Sequence, residues 1–94
     1  MKIEVFGKPG CGRCESTKRK LSHYLDRWGI AADVEIVSHD MESVDGRAEG
    51  AFRDVDEVPT VIVSDGEAEL ARWQREMFSS DALKDVLTGE KSAA

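Results

Sequence analysis

Cysteine and proline are scarce in this 94-residue chain, two of each, and aromatic side chains make up only 6% of it. Cys11 and Cys14 lie too close together to staple distant parts of a fold, which excludes a structural disulfide framework. No stretch approaches the roughly 18 apolar residues of a membrane span. The opening Met1-Lys2-Ile3-Glu4 lacks the basic and apolar segments of a secretory leader, so a cytoplasmic setting without membrane association is expected. Positive charge is also in deficit, 13 basic residues against 19 acidic, and the broad basic surface that nucleic-acid binding requires is missing. Linkers, repeats and low-complexity segments are absent. One domain is therefore expected over residues 1–89, with a frayed tail at 90–94.

The net charge of −6 is unevenly spread. Residues 1–27 hold seven basic side chains against three acidic, and the remainder holds six against sixteen. The basic end coincides with Cys11-Gly12-Arg13-Cys14, which follows the apolar run Ile3-Glu4-Val5-Phe6 and opens a long amphipathic stretch. Two cysteines at this spacing fall on one helical turn, and the first meets the unpaired N–H groups of a helix N-terminus. That is the layout of a dithiol redox centre. Lys8 and Arg13 bracket Cys11 and would favour its thiolate and attract anionic partners.

Strands alternate with helices along the chain. Residues 2–6 read as a strand with Ile3 and Val5 on one face. Residues 12–28 read as a helix that buries Cys14, Thr17, Leu21, Tyr24, Leu25 and Trp28 and stops at Gly29. A strand at 33–38 and a weak helix around 42–54 follow, the helix using Val44, Ala48, Ala51, Phe52 and Val55. Gly46 and Gly50 are each expected to weaken it by about 1 kcal/mol relative to alanine. Val58 to Val63 and Ala68 to Trp73 form a hairpin across Ser64-Asp65-Gly66-Glu67. Ser79 or Ser80 caps a last helix whose Leu83, Val86 and Leu87 share a face and which ends at Gly89.

This βαβαββα order, with Cys11-Gly12-Arg13-Cys14 after the first strand and Val58-Pro59 before the third, resembles the thioredoxin fold and most closely its small glutaredoxin-like branch. The resemblance covers about residues 2–88. It implies an α/β domain with a central four-stranded mixed sheet flanked by three helices. It also implies a cis Val58-Pro59 bond facing the cysteines, and a thiol–disulfide oxidoreductase acting on protein disulfides. Cys11 would be the nucleophile and Cys14 the resolving thiol, with Lys8, Arg13, Val58, Pro59, Thr60 and Trp73 as substrate-side residues. Thr60 also reads as an ordinary strand residue, and Trp73 as core, groove rim or both.

The departures from the family pattern bear on the partner. Val5 stands six residues before Cys11, where thioredoxins carry a buried acid. Leu70-Ala71-Arg72-Trp73-Gln74 stands where glutaredoxins carry the diglycine that holds glutathione, although Arg72 could pair with a carboxylate there. A monomer reduced by a thioredoxin reductase-type flavoenzyme is expected, with glutathione as the alternative reductant. No resident cofactor or metal is expected, because a closed zinc site needs four ligands and the chain offers two cysteines and two distant histidines. The other readings are a glutathione-dependent glutaredoxin, a metal- or iron–sulfur-binding module, and an adaptor whose cysteines no longer turn over. His23 is expected to point away from the dithiol, and His39 to be exposed or to bond within a turn.

Overall fold

Four strands and three α-helices alternate along the chain in the computed structural model, which describes residues 1–75 and 78–88. The expected helix stop at Gly89 and the tail beyond it lie outside the described residues. The elements are β1 (Lys2–Gly7), α1 (Gly12–Trp28), β2 (Glu35–Asp40), α2 (Val44–Phe52), β3 (Thr60–Asp65), β4 (Ala68–Gln74) and α3 (Ser80–Thr88). The sheet order is β2-β1-β3-β4, with β2 parallel to β1 and the other neighbours antiparallel. A mixed sheet flanked by three helices is therefore as expected. Ala31–Asp33 adds a short 3₁₀ turn, which moves the start of β2 from 33 to Glu35.

β1 is paired on both edges, and both its faces are also covered. Ile3 and Val5 join Val61 and Val63 under Leu21 and Leu25 of α1 and Leu83 and Leu87 of α3. Phe6 and Ile62 point the other way and meet Val55 and Met41. α1 follows its sequence pattern closely: Cys14, Thr17, Leu21 and Leu25 are buried, Tyr24 and Trp28 pack at the margin, and Gly29 ends it at φ 71°. Among the described residues no helix is long and apolar enough to cross a membrane.

α2 departs from its expected face. Val44 is 79% exposed and Phe52 81% exposed, while the residues turned inward are Gly46 and Gly50. The reason is close approach. A Cβ on Gly46 would run into the Asp40 carbonyl oxygen, and one on Gly50 would meet the Met41 side chain. These glycines are what lets α2 lie against the end of β2, so alanine at Gly46 would destabilise the fold, contrary to propensity.

The other surprise is a buried acid. Glu4 is 2% exposed beneath α2; its carboxylate lies 2.9 Å from His39 Nε2 and 3.0 Å from Arg53 Nη1. His39 also stacks on Phe6 at 4.5 Å between ring centroids. His39 is thus neither free surface nor a turn residue, and Glu4, His39 and Arg53 tie β1, β2 and the end of α2 together.

Candidate functional site

Cys11 is the N-cap of α1. Its extended backbone, at φ −90° and ψ 105°, lets Sγ accept the Cys14 N–H at 3.1 Å while its carbonyl accepts from Glu15 N at 3.2 Å. Cys11 and Cys14 form a disulfide with their Cα atoms 5.3 Å apart, the span of one turn. Their exposure differs. Cys11 is half-buried, whereas Cys14 is 2% exposed. The free N–H groups and partial positive charge of the helix N-terminus favour a thiolate at Cys11.

Gly7 makes the burial of Cys14 possible. A Cβ there would stand 2.9 Å from Cys14 Cβ and 3.0 Å from Sγ, so Cys14 packs directly against the backbone of β1. Sequence reasoning passed over Gly7, and its only signal was a glycine closing an apolar strand four residues before the dithiol. A cleft of about 210 Å³ reaches Cys14 beside Gly7, lined also by Lys8, Pro9, Lys18 and Asp40.

Strand register brings the proline loop to the same end of the sheet. Thr60 is opposite both Phe6 and Gln74, so Pro59 lies level with Gly7, and Arg75 lies level with Pro59. The Val58–Pro59 bond is cis, as the resemblance implied. Arg75 has a left-handed backbone (φ 61°), donates its N–H to the Pro59 carbonyl at 2.8 Å, and places Nη1 3.4 Å from Glu57 Oε2. It borders the dithiol end of the sheet although sequence reading gave it no role.

The remaining substrate-side candidates divide. Lys8 and Arg13 are exposed beside Cys11, and among the described residues neither side chain has an ion-pair partner. Thr60 is fully buried, and its hydroxyl donates to the Glu57 carbonyl at 2.7 Å, bracing the proline turn. Trp73 is half-buried at the margin of the larger core, opposite Val61 and edge-on to Phe78. His23 is exposed on α1 beside Tyr24.

Arg72 is not available to hold a ligand carboxylate. Its Nε and Nη2 bond both carboxylate oxygens of Glu69 at 2.9 and 2.8 Å, and Nη2 and Nη1 also donate to the Arg53 and Asp54 carbonyls at 2.6 and 3.3 Å. The bond to Arg72 holds the Glu69 carboxyl below its ordinary range, and its counterpart raises the Arg72 pKa. Leu70–Gln74 is strand, with a bulge at Leu70 and regular pairing from Ala71 to Gln74, so the turn after the hairpin begins only at Arg75. Among the described residues no cluster of three or more His, Cys, Asp or Glu could hold a metal.

No family model matches the chain, and no curated protein matches it. Solved structures do. Thioredoxin 1 from the thermophilic eubacterium Thermosipho africanus is 28% identical, with 96% of this chain covering 93% of that one at a TM-score of 0.74. Thioredoxin O2 from Arabidopsis thaliana in its oxidized state is 18% identical over 94% and 72% of the two chains, TM-score 0.72. Fasciola hepatica thioredoxin is 19% identical over 96% and 80%, TM-score 0.70. The chain has the thioredoxin fold. It carries a Cys11–Cys14 disulfide at the first turn of α1, the arrangement of a thiol–disulfide oxidoreductase in general.

Proposed function

We propose that the chain reduces protein disulfides through Cys11 and Cys14. The observation that carries this reading is the unequal pair, a half-buried Cys11 at the N-cap of α1 and a buried Cys14 one turn inside. In the reduced protein the Cys11 thiolate attacks one sulfur of the substrate disulfide. A Cys11–substrate bond forms, and the other substrate sulfur leaves as a thiolate and takes up a proton. Cys14 then gives up its proton and attacks Cys11 Sγ, which closes the Cys11–Cys14 disulfide and releases the second substrate thiol. Two electrons have moved to the substrate. The backbone N–H and C=O of Val58, at the same end of the sheet, would pair with an extended substrate strand.

A thioredoxin reductase-type flavoenzyme is the reductant we favour over glutathione. Arg72 is closed by Glu69 and two carbonyls, and Leu70–Gln74 is strand, which leaves nothing in that segment to grip glutathione's carboxylates. The 28% identity to Thermosipho africanus thioredoxin 1 supports the same choice. The experiment is to offer the oxidised chain glutathione in one vessel, and thioredoxin reductase with NADPH in another. Rapid reduction by the flavoenzyme is the predicted outcome. Rapid turnover with glutathione and glutathione reductase alone would place the protein among the glutaredoxins.

A further inference from the structure

We propose that the dithiol end of the sheet selects disulfides set in acidic polypeptide segments, with Arg13 and Arg75 receiving carboxylates near the scissile bond. The inference rests on the disulfide-reductase reading and adds the substrate class. Four basic side chains stand at this end: Lys8, Arg13, Lys18 and Arg75. Among the described residues five acids stand with them. Glu15 is held by Lys18 at 3.4 Å and Glu57 by Arg75 at 3.4 Å; Asp40, whose Oδ1 accepts the Glu42 N–H at 2.8 Å, lines the cleft with Lys8, and Glu42 and Asp56 are exposed in the loops after β2 and before Val58. Among the described residues, the charged side chains that flank Cys11 in the chain and pair with no acid are Lys8 and Arg13.

The two arginines of the β4 end show what is open. Arg72 spends its guanidinium on four short contacts and is closed. Arg75, one residue beyond β4, makes a single 3.4 Å contact with Glu57, the two side chains being 60% and 40% exposed. Such a pair is weak and gives way to a better-placed carboxylate, and the guanidinium keeps donors to spare. Arg75 lies two strand positions from Gly7, roughly 10 Å at the usual strand spacing. An extended chain covers that in about three residues, so a polypeptide seated at the dithiol also reaches Arg75, where a smaller anion does not. The rest of the molecule is acidic and repels such substrates, so the attraction is confined to the end where the chemistry happens.

The test measures kcat/KM of the reduced full chain on three synthetic peptides, each with one disulfide flanked by Glu, Gln or Lys, and on oxidised glutathione. Rates should fall in the order Glu, Gln, Lys, with Glu ahead of Lys by about tenfold at low salt and much less at high salt. Arg13→Gln and Arg75→Gln should each cut the Glu-to-Gln ratio by about threefold, and Arg75→Lys should restore part of it. Because each ratio compares two substrates of one variant, it is insensitive to changes in Cys11 reactivity. Equal rates on the three peptides, or ratios untouched by both Gln variants, would overturn the inference while leaving the reductase reading standing. Oxidised glutathione reduced as fast as the Glu peptide would overturn the polypeptide requirement. Failure to reduce any of them would remove the reductase reading, and this inference with it.

Discussion

Cys11 and Cys14 are the same residue type placed in opposite surroundings by one turn of helix. Cys11 caps α1 and meets its N–H groups; Cys14 is pressed against the backbone of Gly7. Cys11→Ser should abolish disulfide reduction, because a serine hydroxyl is scarcely ionised at neutral pH, whereas Cys14→Ser should accumulate mixed disulfides at Cys11. Peptide mapping of trapped adducts decides it, and adducts at Cys14 in a Cys11→Ser variant would reverse the roles. Replacing Lys8 and Arg13 together by alanine should raise the Cys11 pKa, read by titrating thiolate absorbance in the ultraviolet; an unmoved midpoint would make them mere solvated surface. Gly7→Ala should cost about 1–3 kcal/mol in denaturant unfolding, because the new Cβ would stand 2.9 Å from Cys14 Cβ and 3.0 Å from its sulfur, so Cys14 must shift.

Elements were legible in the sequence wherever one periodic face met one core. α1 is the clearest case, from its N-cap Cys11 to its Gly29 stop, and the dithiol rode on it. β1 was read by its Ile3 and Val5 face only. Glu4 went unnoticed because an acid between apolar residues looks solvent-facing, and the partners that let it be buried, His39 and Arg53, lie 35 and 49 residues away. α2 was misread for a related reason. Apolar spacing nominated Val44 and Phe52, but the helix turns its glycines to the sheet because a Cβ at Gly46 would meet the Asp40 carbonyl and one at Gly50 the Met41 side chain. Gly46→Ala should therefore destabilise by about 1–3 kcal/mol, where propensity alone predicts a gain of about 1 kcal/mol. Gly50→Ala should cost less, since the Met41 side-chain end it meets is flexible. Chemical denaturation of the two variants separates these accounts. Arg75 was missed because its role depends on strand register, which sequence pattern does not supply.

At the scale of the whole molecule, the charges beside the dithiol and the charges that brace the fold occupy different places. Lys8, Arg13 and Arg75 border the dithiol, whereas Arg72 and Glu69 fasten β4 to the loop after α2. The Glu69 carboxyl titrates below its unfolded value near 4.5, chiefly through its bond to Arg72. A depressed carboxyl pKa contributes stability that is present above the unfolded value and lost as pH falls through the folded one. Glu69→Gln should accordingly lower stability at pH 7 by about 0.2–1 kcal/mol, an exposed pair's usual range, and cost nothing in strong acid; a pH-independent difference would refute the pairing.

The central claim is that electrons leave this chain through Cys11 and Cys14 to a disulfide. The direct measurement mixes the fully reduced chain with an excess of a disulfide-bonded protein and, after an acid quench, counts thiols on both partners by alkylation and mass. Each chain should lose its two thiols to a Cys11–Cys14 disulfide while its substrate gains two, and neither change should occur with Cys11→Ser. A chain that keeps both thiols while the substrate disulfide stays intact would contradict it.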